Sequence, residues 1–472
     1  MPINSFDDYP MTWRPVLPST TTLPIYKTLA NLLEEAIKEG SLNPGDMLPP
    51  QRELADFLDI NLSTITRAFK LCEQKGLIFA KVGKGTFVAA DVQVNTTLLN
   101  PEATKNLIEL GAAHPPYEQN KFITQFIKNW TNTPTADHYL KYLSPFGTQT
   151  QINTAKEFLH QLTISTEKSD LLLTSGGQNA IFSTLLAFFQ AGDCIAVPSL
   201  IYPGIKHAAK SLGIQLLPIP EENHTFSTKI FEQYCQREKI KGLYLIPDYN
   251  NPTTHTLSEN TRHQIATIAK KYDILVIEDA INSLFPSDLS TPLVNLIPEK
   301  TIYILSLSKV LCAGLRIAFI VVPTCYHSKL QESLYATNLT VSPFCAEIVS
   351  QLICSPSFAQ ILQERRAAIL ERNKIFDSLF CDFEFYGDTY CNFRWLILPN
   401  HWNGNAFESC AKNAGVQVYC AERFCVGNVQ VPNAIRICTT APKTASELRK
   451  GLSILKSLLS PAKDFVVTTA WL

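Results

Sequence analysis

The chain has 472 residues, of which 46% are hydrophobic and 18% charged, and its formal net charge is −1. This length exceeds what one hydrophobic core usually serves, so two or three domains are expected. The near-neutral charge excludes a global basic field, so any contact with nucleic acid has to come from a local patch. The 13 cysteines show no Cys-x-x-Cys pair and no zinc-site spacing, which predicts reduced thiols and no metal centre.

The sequence also lacks the patterns of export and membrane insertion. Residues 1–15 contain acidic and proline residues where a signal peptide needs a basic and then an apolar run. No apolar run reaches the roughly 18 residues that a membrane span needs. A cytoplasmic protein is therefore expected.

Residues 21–90 are predicted to form a small helical head, preceded by an arm over residues 1–20. Apolar residues from Leu23 to Ile37 recur at the spacing of one helix. After the break at Asn43-Pro44-Gly45, the pair Pro49-Pro50 is expected to open a second helix, because proline is tolerated in the first turn.

A third helix is predicted to start near Ser63, with Asp59 or Asn61 as its N-terminal cap. Its apolar stripe includes Ile65 and Phe69, while short hydroxyl side chains and an arginine lie at its N-terminal end. Two helices joined by a short turn form the motif that lays its second helix in the DNA major groove. The third helix is therefore a candidate recognition helix.

Two β-prone runs, Gly76–Lys81 and Val82–Val88, follow around a Gly-Lys-Gly turn and predict a two-stranded wing whose lysines can reach phosphate. In this order of elements, the stretch from Leu48 to Val88 resembles the winged helix-turn-helix of GntR-superfamily regulators. The resemblance implies that seven residues contact duplex DNA: Arg52, Asn61, Ser63, Thr64, Thr66, Arg67 and Lys84.

The head is not basic as a whole. Residues 1–90 contain nine Lys or Arg and ten Asp or Glu, and Leu62 stands where many relatives place a basic residue. DNA binding therefore has to depend on the wing and the recognition helix, doubled by dimerisation. The alternative is that these side chains form only the solvated face of a small helical domain, which charge alone supports but the order of elements does not.

Residues 91–106 are polar and without a sustained period, so they are predicted to be a tether. From residue 107 to 460 apolar runs alternate with helical segments, and residues 461–472 are predicted to be a tail. Continuous apolar strands between helices predict a mostly parallel sheet covered on both faces. The strand-like runs are Leu171–Leu173, Cys194–Val197, Gly242–Ile246, Ile274–Ile277 and Tyr303–Leu305.

Several motifs follow these strands, at the edge where sheets of this kind form their active sites. The run Thr174–Ala180 opens a helix whose free amides favour a phosphate. Asp279 ends one strand, and Lys309 lies in the segment Ser306–Arg316, which combines an amine with hydroxyls and an arginine. A carbonyl cofactor needs such an amine, and its phosphate needs such ligands.

In their order and spacing, these motifs resemble fold-type I aminotransferases over roughly residues 107–460. Together with the head they resemble the MocR subfamily of GntR regulators. The resemblance implies a multidomain α/β protein that has a smaller C-terminal subdomain and uses pyridoxal 5'-phosphate as its cofactor. It also implies a homodimer in which each head lies against the body of the opposite subunit.

The resemblance further implies a role for each matching residue. Lys309 would form the covalent bond with the cofactor, and Asp279 would pair with the pyridine nitrogen and keep it protonated. Asn251 would hydrogen-bond the ring hydroxyl, and Tyr202 would stack on the ring. Arg436 would grip a substrate carboxylate through its planar fork. The phosphate ligands would be Ser306, Ser308, Arg316, the amides of Gly177 and Gln178 and, across the dimer, Tyr142.

Three positions depart from the family pattern. Asn282 stands three residues after Asp279, where relatives usually carry a tyrosine that bonds the ring hydroxyl. An amide can donate a hydrogen bond but cannot ionise. Asn282 is therefore predicted to contact the cofactor and to give the bond between Lys309 and the cofactor a different proton affinity. Thr254 replaces a common glycine, and Ala313 replaces a common proline. Efficient turnover is therefore not expected.

The favoured interpretation is a transcription regulator that binds DNA and pyridoxal phosphate and senses a small amino compound or the cofactor itself. The alternative is an active aminotransferase with a secondary head, and a multiple-turnover transamination assay separates the two. A third interpretation, a structural dimer that has lost the cofactor, is disfavoured because Lys309, Asp279 and Arg316 are all present.

Overall fold

The computed structural model describes residues 11–18, 23–42, 45–81, 85–89, 106–222, 225–283, 290–427, 429 and 431–460. Much of the predicted arm, nearly all of the predicted tether, the whole predicted tail and Lys84 of the wing lie outside these residues. Among the described residues, no single helix is long and apolar enough to cross a membrane. One bent pair of helices, Pro343–Ile353 with Pro356–Leu379, meets that criterion of length and composition only when taken together.

The head consists of three helices and a two-stranded wing. Its elements are α1 (Ile25–Lys38), α2 (Gln51–Leu58), α3 (Leu62–Gln74), β1 (Ile78–Lys81) and β2 (Gly85–Val88). The two strands pair antiparallel, with Ile78 opposite Val88. This is the order of elements that the sequence predicted.

The core of the head is built from one apolar face of each helix. Leu29, Leu54, Ile65 and Phe69 are all at most 2% exposed. Trp13 joins the same core, although it lies in the segment predicted to be an arm. The packed unit of the head therefore begins before residue 21.

The body contains fifteen strands among the described residues. They are β3 (Ile108–Glu109), β4 (Ser169–Thr174), β5 (Cys194–Pro198), β6 (Gln215–Ile219), β7 (Glu221–Glu222), β8 (Thr225–Phe226), β9 (Ile240–Leu245), β10 (Leu275–Asp279), β11 (Thr301–Ser306), β12 (Ala318–Pro323), β13 (Phe385–Tyr386), β14 (Phe393–Ile397), β15 (Val416–Gln417), β16 (Tyr419–Cys420) and β17 (Ala434–Cys438).

The helices of the body cover the strands in alternation with them. They are α4 (Asn120–Thr131), α5 (Gln149–Gln161), α6 (Gly177–Phe188), α7 (Pro203–Leu212), α8 (Thr228–Arg237), α9 (Glu259–Lys271), α10 (Leu293–Leu296), α11 (His327–Asn338), α12 (Pro343–Ile353), α13 (Pro356–Leu379), α14 (Gly404–Asn413) and α15 (Ala445–Leu459). Short 3₁₀ segments lie at Ala136–Leu140, Thr324–Tyr326 and Ala421–Arg423.

Seven strands form the central sheet, in the order β4-β12-β11-β10-β9-β5-β6. Six of them run parallel, and β12 runs antiparallel between β4 and β11. The predicted apolar runs all coincide with strands of this sheet, so the mostly parallel sheet is confirmed. On β10, Val276 and Ile277 belong to two different hydrophobic clusters, one on each face of the sheet. Because both faces are buried, successive residues of this strand are apolar.

The smaller C-terminal subdomain contains the antiparallel sheet β13-β14-β17-β16. Its core includes Phe376, Phe407, Ile437 and Leu452, all fully buried. The first strand of the body, β3, pairs with β15 of this subdomain. The chain therefore enters the body at its C-terminal subdomain, and the predicted fold class is confirmed.

Candidate cofactor site and nucleic-acid interface

The candidate site lies at the carboxyl edge of the central sheet, where β10 ends at Asp279 and β11 ends at Ser306. Parallel sheets collect helix N-termini and loops at this edge. Helix α6 begins at Gly177, soon after the end of β4, and its first amides have no partners inside the helix. These amides and the helix dipole favour an anion.

Two serines and an arginine adjoin the N-terminus of α6. Arg316 Nη1 donates to Ser308 Oγ at 3.1 Å, and the hydroxyls of Ser306 and Ser308 are 3.2 Å apart. A Cβ atom at Gly177 would lie 3.2 Å from the Cβ of Ser306. The structure thus brings together four of the residues that were predicted to hold the phosphate.

Gly176 allows the arginine to approach this helix. Its φ is +90°, a conformation that L side chains rarely adopt. A Cβ atom at this position would lie 2.5 Å from Nη2 of Arg316. Both the backbone conformation and the lack of space for a Cβ atom therefore require glycine at position 176, beside the predicted phosphate ligands.

Lys309 follows β11 by three residues, and its side chain is mostly buried. Its Nζ donates to the carbonyl oxygen of Ala113. Burial lowers the pKa of Lys309 to about 8, and the positive charge of Arg436 acts in the same direction. An amine with this pKa is partly neutral near pH 8 and is therefore nucleophilic.

Asp279 is 2% exposed, and burial raises its pKa to about 6. The Tyr244 hydroxyl donates to Asp279 Oδ2 at 2.7 Å, and the Ile281 amide donates to Oδ1 at 3.3 Å. These bonds and the charge of Lys309 favour the carboxylate form. A buried carboxylate held in this way is suited to pair with a protonated ring nitrogen.

Arg436 lies on β17 and is fully buried. Its Nη1 donates to Asn251 Oδ1 and its Nη2 donates to the carbonyl oxygen of Gly111. Its Nε has no hydrogen-bond partner among the described residues. Burial lowers the pKa of Arg436, so a negative partner would be favourable. The predicted substrate residue and a predicted cofactor residue are thus in direct contact.

Tyr202 and Gln178 meet at the start of α7. Gln178 Nε2 donates to the carbonyl oxygen of Gly204 at 2.9 Å. A Cβ atom at Gly204 would lie 2.2 Å from Tyr202 Cε1 and 2.1 Å from Gln178 Oε1. Burial raises the pKa of Tyr202, and the charge of Asp279 contributes to this rise, so the phenol borders the same site.

Tyr142 and Asn282 do not join these contacts. Tyr142 is 83% exposed. Asn282 Nδ2 donates to the carbonyl oxygen of Tyr249 at 2.9 Å. Thr254, one of the departures from the family pattern, has a φ of +67°, a conformation in which glycine is less strained.

Tyr244, which holds Asp279, was not among the residues predicted from the sequence. Its hydroxyl belongs to the apolar run of β9 and is fully buried. A hydroxyl in a strand that is buried on both faces needs a partner, and this requirement is the signal that could have identified it.

The segment from Gly111 to His114 was also missed. Burial and the charge of Lys309 lower the pKa of His114 to about 4, so this imidazole is neutral at pH 7. The Tyr117 hydroxyl lies 2.8 Å from His114 Nδ1. Local sequence patterns carry no signal for the contact between this segment and Lys309, because the two are far apart in the chain.

The recognition helix keeps part of its polar face exposed. Asn61 caps α3, since its Oδ1 accepts from the Ser63 amide at 2.8 Å. The Thr66 hydroxyl donates to Gln51 Oε1 at 2.8 Å, which ties α3 to α2. Three predicted DNA contacts therefore also have structural partners or neighbours within the head.

The arginines of the head lie at its surface. Arg52 and Arg67 are exposed, and the Arg67 guanidinium lies 4.6 Å from the ring centroid of Tyr26. Ser63 is exposed and Thr64 is half-buried. A hydroxyl-rich helix N-terminus flanked by arginines matches the chemistry of base edges and phosphates.

The residues of the candidate site fit pyridoxal phosphate. The cradle that excludes a side chain at Gly176 offers amides, hydroxyls and a guanidinium to a phosphate. Asp279 offers a carboxylate to a ring nitrogen, and Lys309 offers an amine to an aldehyde. The fold and the site together define a fold-type I pyridoxal-phosphate protein of the aminotransferase type, joined to a winged helix-turn-helix head.

Comparisons with known proteins agree with this class. Residues 105–455 match the family of aminotransferase class I and II, and residues 25–88 match the bacterial regulatory proteins of the gntR family. YdeF of Bacillus subtilis (strain 168), described as an uncharacterized HTH-type transcriptional regulator, is 42% identical over 459 residues. These cover 97% of this chain and 99% of YdeF.

A solved structure shows the same fold for the body. LysN, an α-aminoadipate aminotransferase from Thermus thermophilus, superposes with a TM-score of 0.69 at 21% identity, over 78% of this chain and 95% of LysN. The chain belongs to the aminotransferase class I and II family, within the group of HTH-type transcriptional regulators that carry a gntR-family head. The predicted combination of a gntR-type head with an aminotransferase-like body, as in the MocR subfamily, is confirmed.

We predict that Gly176→Ala weakens the binding of pyridoxal phosphate at least about tenfold, because the new Cβ displaces the Arg316 guanidinium. Gly192→Ala is the matched control, since Gly192 has a φ of +91° but no atom within 4 Å of its Cβ position. Titration of cofactor-free protein, followed by absorbance, measures both affinities. An equal loss in the two variants would show that backbone strain, and not the arginine, is responsible.

We also expect the attachment of pyridoxal phosphate to Lys309 to accelerate with pH, with a midpoint near the lowered pKa of about 8. The reason is that only the neutral amine attacks an aldehyde, and an ordinary lysine would give a midpoint near pH ~10.4. Stopped-flow absorbance measures the rate, and borohydride trapping with peptide mapping identifies the residue. A trapped group on a different lysine would contradict the assignment.

Proposed function

We propose that this chain is a DNA-binding transcription regulator whose body binds pyridoxal phosphate and senses an amino compound or the cofactor itself. One observation carries the proposal. A head with an exposed recognition helix is fused to a body in which Lys309, Asp279 and Arg436 converge on one buried site. The head supplies DNA binding, and the body supplies the site at which a small molecule can change it.

The residues of the body divide the work of holding the ligand. When bound, pyridoxal phosphate supplies an aldehyde that reacts with amines and a ring that withdraws electrons. Arg316, Ser306 and Ser308 would hold the phosphate by charge-assisted hydrogen bonds. Asp279 would keep a proton at the ring nitrogen, and Lys309, with its pKa lowered to about 8, would present an amine that is partly neutral.

The effector would enter beside Arg436. Its unused Nε donor and its fully buried charge favour a carboxylate. His114 is neutral at pH 7 and therefore adds no second charge to this end of the site. The chemistry fits an amino acid or a related amine with an acidic group.

We further propose the assembly that the family resemblance implied. Tyr142 is exposed in one protomer and would reach the phosphate of its neighbour in a homodimer. The tether would span residues 91–106 and the body residues 107–460, while the head, predicted over residues 21–90, would extend further toward the N-terminus to include Trp13 of its core. Such a regulator would act in the cytoplasm, where its DNA is found.

A second candidate function is a weak aminotransferase. The lowered pKa of Lys309 favours it, because an enzyme needs this amine to move a proton. The amide of Asn282 opposes it, since this side chain cannot ionise and is bonded to the Tyr249 carbonyl. A regulator needs only a difference in effector affinity between two states, so turnover is not required.

For the head, we predict that Arg67→Ala weakens specific DNA binding by about 1 to 3 kcal/mol if the guanidinium reaches a base edge. Lys84→Ala should weaken all sequences alike and reduce the salt slope by about one, because it would remove a phosphate contact. Lys168→Ala, an exposed lysine of the body, serves as the control. If the full-length protein fails to bind the DNA upstream of its own gene at low salt, the proposed function as a transcription regulator is refuted.

For the body, we predict that Arg436→Lys reduces the response of DNA affinity to amino-acid effectors at least about tenfold, since a point charge replaces a planar fork. The cofactor absorbance should remain. Arg366→Lys is the control, because Arg366 is exposed and lies over the ring of Tyr390. A wild-type transamination rate of roughly 1 to 10³ per second would favour the enzyme over the sensor.

A further inference from the structure

One buried carboxylate near the candidate site has no role among those assigned above. Asp248 follows β9 and is 9% exposed. Its Oδ1 accepts a hydrogen bond from Arg262 Nη2, and its Oδ2 accepts one from the Ser283 hydroxyl at 2.5 Å. The carboxylate therefore connects helix α9, which carries Arg262, to the chain that follows Asp279.

Arg262 anchors this carboxylate and closes the loop that contains it. The arginine side chain is fully buried. Its Nε donates to the Leu257 carbonyl at 3.1 Å, and its Nη2 donates to the Pro247 carbonyl at 3.4 Å. The Leu257 amide also donates to the Pro247 carbonyl at 2.8 Å. Because charge-assisted hydrogen bonds are strong and directional, Asp248 has a fixed position within this closed loop.

The turn after Asp279 is tied to this loop by two consecutive side chains. The Ser283 hydroxyl donates to the carboxylate described above, and Asn282 Nδ2 donates to the Tyr249 carbonyl at 2.9 Å. Within the turn, the Ile281 amide donates to Asp279 Oδ1. The turn that holds the predicted partner of the ring nitrogen is therefore attached to residues 248 and 249.

The same loop carries Asn251, which belongs to the effector end of the site. Asn251 Oδ1 accepts from Arg436 Nη1. Inside the loop, the Asn250 amide donates to the His255 carbonyl at 2.8 Å, so the backbone on either side of Asn251 is closed by a hydrogen bond. The positions of Asp248 and Asn251 are therefore fixed by one short loop.

We propose that Asp248, anchored by Arg262, is a positioning residue that links the ring end of the site to its effector end. Its two oxygens are used within the protein, so it acts through Ser283 on the turn after Asp279 and through the loop backbone on Asn251. This inference rests on the proposed function, because it concerns the same site. A contiguous network of this kind lets an effector bound at one end alter the other end, as a sensor requires.

The test compares two serines whose hydroxyls each donate to a carboxylate. Ser283 bonds Asp248 at 2.5 Å, and Ser227, the N-terminal cap of α8, bonds Glu222 at 2.6 Å. We expect Ser283→Ala to weaken the binding of pyridoxal phosphate about tenfold, because a charge-assisted bond is lost, while Ser227→Ala leaves the affinity unchanged. Ser283→Thr, which keeps the hydroxyl, should restore the affinity of the wild type.

Absorbance titration of the cofactor-free, full-length protein measures these affinities. An equal loss in the two alanine variants would show a general effect of stability and would overturn the proposal. Unchanged affinity in Ser283→Ala, or no recovery in Ser283→Thr, would also overturn it.

A second comparison tests whether the hydroxyl acts through Asp248. In an Asp248→Asn background the serine no longer faces a charge, so Ser283→Ala should change the cofactor affinity by less than about threefold. A loss as large as in the wild-type background would contradict the proposal. Removing the charge of one partner of a buried ion pair can unfold a protein, and in that case the comparison of the two serines decides.

Hydrogen–deuterium exchange on the cofactor-free protein separates this inference from the proposed function. Ser283→Ala should raise the exchange of backbone amides at least about tenfold in residues 248–256 and in residues 279–283 together, because the two turns lose their shared partner. Ser227→Ala should leave both unchanged. Faster exchange in residues 279–283 alone would refute the link. A wild type that takes up no pyridoxal phosphate would instead refute the proposed function, and the exchange measurement would still decide whether the two turns are linked.

Discussion

The body depends on one constraint, the burial of two positive charges at the carboxyl edge of its sheet. An unpaired buried charge costs several kcal/mol, so Lys309 and Arg436 both need acceptors. The same short segment supplies them, through the carbonyl oxygens of Ala113 and Gly111. The pairing of β3 with β15 holds that segment in place. The Glu109 carboxylate also holds it, because it accepts hydrogen bonds from the amides of Gly111 and Ala112 at 2.7 and 2.8 Å.

The central sheet explains why the two ends of the site can meet. Six parallel strands deliver their carboxyl ends to one edge, so residues separated by more than a hundred positions become neighbours. The carboxylate of Asp279, at the end of β10, is held by Tyr244 from the adjacent strand β9. The phosphate cradle combines the N-terminus of α6 with the loop after β11. Neither the pair of Asp279 and Tyr244 nor the group of phosphate ligands could be assembled from a single segment.

The head follows a simpler logic. Its fold is local, with each helix contributing one apolar face to a core of Leu54, Ile65 and Phe69. Its polar residues serve two purposes, since Asn61 caps the recognition helix and Thr66 ties it to α2, while the same helix turns Ser63 and Arg67 to the surface. The side chains that fix the position of α3, Asn61 and Thr66, therefore lie beside the residues that α3 exposes.

The sequence by itself predicted the winged head and the alternation of apolar strands and helices, and its resemblance to a known family pointed to Lys309, Asp279, Arg316 and Arg436 as candidate site residues. These features are written locally, in periodicity, turn residues and short motifs. Only the tertiary structure decided the antiparallel course of β12, the bond of Tyr244 to Asp279, the commitment of Asn282 to a backbone carbonyl, and the carbonyl partners of the two buried cations. The physical reason is that burial and hydrogen-bond pairing depend on distances between segments that the chain brings together only when it folds.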